Sequence, residues 1–231
     1  MKWIIPSPDS EKIKEIQEEL DLPAQIVNIL LQRKIDKPRL IKNFLSLDLS
    51  MLHDPFLMKG MDVAVERIIK NIKKKKPIFI LGDYDVDGTS ATSLLFLGIR
   101  ELGGTVIPFI PNREFDGHGI SERSITKAID SGADLFITCD CGINESSVIE
   151  ESKSLDLDFI ITDHHIPGEN VPEALTILNP KQKDCEYPFK ELSGSGVAFK
   201  LVSALDLKLN KSNFLIKKII DIAALGTASD L

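Results

Sequence analysis

The chain has 231 residues, with 28 Lys and Arg against 35 Asp and Glu for a formal net charge of −7, and 43% of its residues are hydrophobic. This composition is typical of globular proteins and excludes disordered and fibrous classes. The longest uncharged run, Gly88 to Ile99, is well short of the ~18 to 20 residues that a membrane span needs. We expect no membrane association and, because the first residues form no apolar signal segment, a cytoplasmic location.

The first part of the chain predicts helices. Apolar residues recur at three- and four-residue spacing in segments separated by prolines and acidic turns, which are Glu11–Leu20, Pro23–Lys34, Pro38–Leu45 and Met61–Ile72. We therefore predict a helical leader over residues 1–75. The lysine run that follows the last of these helices, Lys73–Lys76, is expected to complement the helix dipole, with a phosphate contact as the alternative.

From residue 76 onward, short apolar strands alternate with helices. The predicted strands are Ile78–Leu81, Val106–Ile110, Leu135–Cys139, Phe159–Thr162 and Thr176–Leu178. The predicted helices are Thr89–Leu102, Ser121–Ser131, Asn144–Lys153, Ser195–Leu209 and Phe214–Leu225. This alternation predicts an α/β domain over residues 76–231, with a parallel sheet sandwiched by helices.

Acidic residues and histidines follow three of these strands. They are Asp83, Asp85 and Asp87 after the first strand, Asp140 after the third, and Asp163, His164 and His165 after the fourth, with Asp230 near the end of the chain. Ligands of such sheets bind at the carboxyl ends of the strands, so these groups should converge. Clustered carboxylates repel one another, and a divalent metal is the natural neutraliser. Oxygen ligands with one or two imidazoles favour Mn²⁺ or Mg²⁺.

Residue spacing suggests how these side chains point. In an extended chain, Asp85 and Asp87 would project to the same side. The adjacent His164 and His165 would project to opposite sides, so that one binds metal and the other meets the substrate. The stretch Asp85–Thr89 also matches the nucleophile loop of haloacid-dehalogenase phosphatases, but the companion motifs of that family are absent, which makes it the second interpretation.

Four ordered motifs together resemble those of the DHH phosphoesterases. These motifs are Asp85–Gly88, Asp140–Gly142, Asp163–His165 and Gly226–Asp230. Around two of them, the longer stretches Gly82–Ser90 and Thr162–Gly168 are similar to bacterial single-strand-specific DNA exonucleases of that family. Within that family, the flanking stretches are similar to bacterial single-strand-specific DNA exonucleases, and they are Leu52–Phe56, Ile110–Arg113, Leu192–Leu201 and Ala223–Thr227. The resemblance therefore covers nearly the whole chain.

The resemblance implies 5′-to-3′ hydrolysis of single-stranded DNA to mononucleotides, in DNA repair and recombination, with two Mn²⁺ or Mg²⁺ ions. It implies that Asp85 binds the first ion, Asp87 binds the second and Asp140 bridges them. His164 and Asp230 would complete the shell of the second ion, and Asp221, inside a helical stretch, is the weaker alternative to Asp230. The remaining histidine, His165, would face the scissile phosphate.

Further candidates carry less specific signals. Asp83 is counted with the catalytic residues because Leu81 stands where other branches of the family have a histidine ligand, and Asp83 or water would replace it. Arg113 suits bidentate phosphate recognition, or is an ordinary surface arginine. The loop formed by Gly194, Ser195 and Gly196 would open a helix at Val197 and present N–H groups to phosphate, or is only a tight turn. We group His118 with the DNA-binding candidates and leave its role open.

Two alternatives keep the fold and change the activity. One is a phosphodiesterase of the same superfamily that acts on short oligonucleotides or cyclic dinucleotides, and the other is a non-catalytic scaffold, which broken ligand sets would indicate. The resemblance also implies further C-terminal domains, of the DHHA1 and OB types, that this chain is expected to lack. The expected partners are single-stranded DNA and a helicase or single-strand-binding protein. The acids of the four motifs account for all but one unit of the −7 charge, so the acidic balance does not exclude a DNA substrate.

Overall fold

The computed structural model describes residues 9–46, 48–112, 114, 117, 119–209 and 214–230. It divides into two compact units, Met1–Leu52 and His53–Leu231. The second unit contains all the candidate metal ligands. Among the described residues, no helix has both the length and the apolar character that a membrane crossing requires.

The first unit is a small helical cluster. Its helices are α1 (Ser10–Leu20), α2 (Ala24–Gln32) and α3 (Pro38–Leu45), followed by a 3₁₀ turn at Leu49–Met51. The side chain of Asp9 caps α1 by accepting a hydrogen bond from the backbone N–H of Lys12 at 3.1 Å. One apolar face from each helix meets at a common core of Ile13, Ile16, Val27, Leu30 and Ile41. The predicted amphipathic helices are confirmed.

The second unit is built on a five-stranded parallel sheet with the order β2-β1-β3-β4-β5. Its strands are β1 (Pro77–Gly82), β2 (Thr105–Phe109), β3 (Leu135–Cys139), β4 (Asp158–Thr162) and β5 (Thr176–Leu178). Its helices are α4 (Met61–Lys74), α5 (Val86–Glu101), α6 (Glu122–Asp130), α7 (Ser146–Glu151), α8 (Gly194–Leu209) and α9 (Phe214–Ser229), with a 3₁₀ turn at Pro55–Leu57 before them. The predicted fold class is confirmed.

Helices cover both faces of this sheet. On one face, the rings of Phe79, Phe136 and Phe159 lie side by side, with centroids 5.1 and 5.2 Å apart, in a core shared with α6 and α7. On the other face, α5, α8 and α9 pack against one another, and α4 packs on α8. Because both faces are covered, β1, β3 and β4 are buried along almost their whole length, without alternation.

Helix boundaries differ from the predicted ones at two places that matter for the site. Helix α5 begins at Val86 instead of Thr89, because Asp85 caps it by accepting a hydrogen bond from Gly88 N–H at 2.8 Å. Helix α8 begins at Gly194, one residue before the predicted start at Ser195, so the candidate phosphate-binding loop Gly194–Gly196 forms its first turn. Helix α4, which we placed in the leader, packs within the second unit against β1, β5 and α8.

Candidate metal centre

The carboxyl ends of three neighbouring strands place three aspartates in one row. Each aspartate directly follows its strand, and its backbone N–H donates a hydrogen bond to the carbonyl of the last residue of the neighbouring strand in the sheet. The bonds run from Asp83 N to Cys139 O (3.1 Å), from Asp140 N to Thr162 O (2.9 Å), and from Asp163 N to Leu178 O (3.1 Å). The sheet ladder therefore continues one residue past each strand and brings these carboxylates together at one edge.

Asp85 and Asp87 reach this edge from the start of α5. We expected an extended chain here, and that expectation is wrong, because the helix starts between the two residues. Asp85 is the N-cap and Asp87 lies in the first turn. Both carboxylates thus sit at the positive end of the helix dipole, which stabilises their charge.

The carboxylate of Asp87 is also held by the first turn of α8. Its two oxygens accept hydrogen bonds from the backbone N–H groups of Gly194, at 2.6 Å, and Ser195, at 2.9 Å. Ser195 is buried, and the N–H of Gly196 donates to Ser193 Oγ at 3.1 Å. The structure therefore directs these groups towards Asp87 and Ser193, and it does not bring Ser195 and Gly196 to a surface as phosphate donors.

Two glycines allow this close packing, and the sequence analysis gave them no such role. A Cβ on Gly194 would lie 2.5 Å from Asp140 Oδ1, and a Cβ on Gly226 would lie 2.3 Å from Ser195 Oγ and 2.9 Å from Asp87 Oδ1. A side chain at Gly194 would displace the carboxylate of Asp140, and one at Gly226 would displace Ser195, whose N–H holds Asp87. The signal was present in the sequence, since Gly226 lies in one of the four motifs and Gly194 in a flanking stretch that carries the resemblance.

His164 is the centre of the carboxylate cluster. Its Nε2 lies 3.1 Å from Asp140 Oδ1 and 4.0 Å from Asp87 Oδ2, and its Nδ1 lies 3.5 Å from Asp230 Oδ2. The ring is largely buried, whereas the side chain of His165 is 51% exposed. The prediction that only one of the two histidines faces the cluster rested on an extended chain. The chain is not part of a strand here, because β4 ends at Thr162. The two rings lie close together, with their centroids 4.6 Å apart.

These side chains form three overlapping groups, in each of which the potential ligand atoms lie within 4.8 Å of one another. The groups are Asp83 with Asp85 and Asp140, Asp87 with His164 and Asp230, and Asp140 with His164 and His165. Asp140 and His164 each belong to two groups. The structure therefore brings together all five predicted metal ligands, together with Asp83 and His165.

The surroundings of Asp140 indicate that the potential ligands described above fit a divalent metal ion. Its Oδ1 is buried and, among the described residues, has no partner in hydrogen-bonding geometry, although His164 Nε2 is close. Burial raises the pKa of Asp140 to about 6, the nearby imidazole of His164 opposes this shift, and the negative charges of Asp87 and Asp85 add to it. Burial and the neighbouring negative charges thus oppose ionisation of this carboxylate. A bound cation would neutralise the negative charge and remove this unfavourable interaction. The backbone of Asp140 is left-handed, with φ of 66°, which is strain of the kind found at functional sites.

The histidine pair is biased towards the protonated form. Burial alone lowers the pKa of His164, but Asp140 and then Asp230 outweigh it and raise that pKa. The hydrogen bond to Asp163 raises the pKa of His165 to about 9. Burial raises the pKa of Asp163 itself, but bonds from the ring and backbone of His165 and from Ile143 N–H lower it overall. Asp163 is therefore an ionised partner of His165.

Two predicted DNA-binding residues, Arg113 and His118, lie outside the residues that the structure describes. Asp221 is exposed on α9 and belongs to none of the groups above, whereas Asp230 belongs to one. The sequence analysis gave no role to Asn179, the residue that follows β5 and contacts the backbone of His165 at 2.9 Å. The sequence feature that could have indicated a role for Asn179 was its position directly after a predicted strand.

Comparisons with known proteins agree with this geometry. Residues 77–227 match the model of the DHH family, N-terminal domain. A Bacillus subtilis protein named single-stranded-DNA-specific exonuclease RecJ is 39% identical over the whole chain, which spans 29% of that relative. The Escherichia coli protein of the same name is 34% identical over 94% of this chain and 40% of its own length. A crystal structure of RecJ from Thermus thermophilus in complex with Mn²⁺ has a TM-score of 0.76 at 29% identity, covering 98% of this chain and 31% of that one.

Proposed function

This chain belongs to the DHH family, and from that membership we propose that it is the catalytic part of a metal-dependent exonuclease that degrades single-stranded DNA from the 5′ end to mononucleotides. The observation that carries the proposal is the set of overlapping ligand groups that share Asp140 and His164. The chain spans less than half the length of the curated relatives described above, so this activity belongs to the whole protein. We propose residues 76–231 as the phosphoesterase domain, which the match over 77–227 supports. Residues 1–75 would be the leader, although its last helix, α4, packs with that domain in the second unit.

Two divalent ions, Mn²⁺ or Mg²⁺, would occupy the groups described above. Asp83 and Asp85 would hold the first, and Asp87, His164 and Asp230 would hold the second. Asp140 would contact both, because its carboxylate belongs to the first group and lies 3.1 Å from the imidazole of the second. Such a pair supplies an activated water and neutralises the attacking and leaving oxygens of a phosphodiester.

The protein's own groups hold and orient the reactants. The backbone N–H groups of Gly194 and Ser195 fix the carboxylate of Asp87, so its direction does not depend on a ligand. The half-exposed ring of His165 can donate a hydrogen bond from Nε2 to a phosphate oxygen, because Asp163 occupies Nδ1. Its positive charge would stabilise the negative charge that develops on the phosphate.

The substrate class rests on the relatives, whose names specify single-stranded DNA. A nuclease limited to single strands needs another protein to open or hold the DNA, so a helicase or single-strand-binding protein is the expected partner class. The same substrate supports a cytoplasmic role in DNA repair and recombination. Membership in the DHH family also removes the haloacid-dehalogenase interpretation.

The test uses the full-length protein with long single-stranded DNA carrying a 5′ label or a 3′ label. We expect Mn²⁺-dependent release of labelled mononucleotide from the 5′-labelled strand first, and little from blunt duplex. Asp140→Asn should abolish release, and Asp156→Asn, the same change at an exposed position, should retain it. Release from the 3′ end first, or hydrolysis of dinucleotides and cyclic dinucleotides in preference to long strands, would contradict the proposal and favour the phosphodiesterase alternative.

A further inference from the structure

His165 is fixed in place from two neighbouring strand ends. Its ring Nδ1 donates to Asp163 Oδ1 at 2.8 Å, and its backbone carbonyl accepts a hydrogen bond from the side-chain amide of Asn179 at 2.9 Å. Asp163 follows β4 and Asn179 follows β5. The half-exposed ring and Asp163 both line a cavity of about 490 Å³, so the free side of the imidazole faces open space.

The carboxylate of Asp163 has little freedom to rotate. One oxygen accepts from the backbone N–H groups of His164, at 2.7 Å, and His165, at 3.0 Å, as well as from the ring. The other oxygen accepts from Ile143 N–H at 2.9 Å, and the residue is 1% exposed. A carboxylate with both oxygens bound to backbone N–H groups gives the ring a fixed acceptor, which sets the ring orientation and directs Nε2 outward.

The amide of Asn179 has a single orientation as well. Its oxygen accepts from Lys181 N–H at 2.8 Å, so its nitrogen is directed at the His165 carbonyl, and the residue is fully buried. The backbone of His165 is thereby tied to the end of β5, while the ring of His164 stays with Asp140. The adjacent histidines thus have separate supports: Asp140 and Asp230 contact the ring of His164, and Asp163 and Asn179 hold His165.

We propose that Asp163 and Asn179 are positioning residues that act through His165, holding its Nε2 where a phosphate oxygen of the substrate binds. The proposal rests on the function proposed above and adds the supports of its phosphate-facing group. Neither residue belongs to any of the three groups of potential metal ligands. Removing either support should therefore impair turnover while leaving metal affinity unchanged.

A double-mutant cycle separates positioning from general damage. In the full-length protein, Asp163→Asn should lower kcat for single-stranded DNA by about 10- to 100-fold with a smaller change in KM. In a His165→Ala background, where the ring is absent, the same substitution should change kcat by less than about twofold. Equal losses in both backgrounds would overturn the proposal, as would a matching loss of Mn²⁺ affinity measured by calorimetry.

A second cycle with Asn179→Ala and His165→Ala covers the case in which Asp163→Asn fails to fold. We expect the same non-additive pattern, and equal losses in both backgrounds would overturn the role of Asn179. The controls are Asp156→Asn and Asn43→Ala, which make the same chemical changes at exposed positions.

An activity-free measurement distinguishes this proposal from the proposed function. The Nδ1 proton of His165 should appear in the NMR spectrum of the wild-type protein as a slowly exchanging downfield signal, and Asp163→Asn should remove it. If the wild-type protein hydrolyses no DNA but shows this behaviour, the function fails and the positioning contact stands. A signal that is absent in the wild type, or that survives in Asp163→Asn, overturns the positioning proposal whatever the activity.

Discussion

The two edges of the sheet carry polar clusters of opposite kinds. The carboxyl-edge cluster is Asp83, Asp85, Asp87, Asp140, His164 and Asp230, and the amino-edge cluster is Arg67, Asn71, Lys76, Asp134 and Asp158. In the amino-edge cluster, two cations face two carboxylates, and the side chain of Arg67 is 10% exposed. The carboxyl-edge cluster has five carboxylates and a single imidazole, which lies near three of them, Asp87, Asp140 and Asp230.

The two clusters differ in how their charged side chains are neutralised. At the amino edge, Arg67 donates to Asp158 at 2.6 Å and to the Asp134 carbonyl at 2.8 Å, and Lys76 donates to Asp134 at 2.5 Å. At the carboxyl edge, the buried Oδ1 of Asp140 has no partner in hydrogen-bonding geometry among the described residues. A balanced cluster stabilises the fold, whereas a buried cluster of one sign costs stability until a cation binds. Substitutions at the two edges should therefore have opposite effects on activity and stability.

The largest expected effect is on activity at the carboxyl edge. Asp140→Asn should lower kcat on single-stranded DNA by at least about a thousandfold, because both proposed ions lose a shared ligand. Without metal, the melting temperature of this variant should equal or exceed that of the wild type, because the substitution removes a buried negative charge that burial and its acidic neighbours make unfavourable. Calorimetric scans and nuclease assays on the same samples check both outcomes, and a large drop in metal-free stability would contradict the comparison.

Next in size is a stability effect at the amino edge. Arg67→Ala should lower the free energy of unfolding by about 3 kcal/mol, because it leaves the carboxylate of Asp158 and the side-chain oxygen of the buried Asn71 without the guanidinium that binds them. Below its melting temperature this variant should keep wild-type kcat, since Arg67 touches no proposed ligand. Urea denaturation measures the change, with exposed Arg39→Ala as the control, for which we expect less than about 0.5 kcal/mol.

Metal binding should stabilise the protein only through the carboxyl edge. Mn²⁺ at about one hundred times its Kd should raise the free energy of unfolding by about 2.7 kcal/mol. The increment should persist in Arg67→Ala and vanish in Asp140→Asn. Thermal shifts with and without Mn²⁺ give this comparison, and an equal increment in all three proteins would place the bound ion elsewhere.

The smallest effect concerns pH. Burial by itself raises the pKa of Asp134, but bonds from Lys76 and Asn71 and the charge of Arg67 outweigh it and lower that pKa to about 2. Because the folded-state pKa lies below the unfolded value, Asp134 stabilises the fold above pH ~4, and this contribution is lost as the pH falls towards ~2. Asp134→Asn should therefore cost at most about 2 kcal/mol at pH 7, with the difference shrinking below pH ~4. A pH-independent difference in urea denaturation would show that the charge of Asp134 is not responsible.

Much of the fold was accessible from the sequence because its signals are local. Apolar runs such as Leu135–Cys139 are buried on both faces and were predicted with their observed bounds. The convergence of Asp83 and Asp140 followed from the rule that parallel strands end at the same edge. These inferences needed only the order of strands and helices along the chain.

The rest depends on contacts between distant segments. The bond from Gly194 N–H to Asp87 joins residues that are 107 positions apart, and no pattern around either of them specifies it. The orientation of Asp85 and Asp87 was mispredicted because Asp85 caps α5, which replaces strand alternation with helical geometry. Asn179 was assigned no role because its contact with the backbone of His165 depends on β5 lying beside β4, which local sequence does not reveal.

The most direct test of the central claim is anomalous diffraction from crystals of the protein grown with Mn²⁺. The account predicts two anomalous peaks at the carboxyl edge of the sheet, about 3.5 to 4 Å apart, one beside Asp85 and one beside His164, with the Asp140 carboxylate contacting both. A single peak, or peaks only at the amino edge or elsewhere on the surface, would contradict the claim that the carboxyl-edge cluster is a two-metal centre.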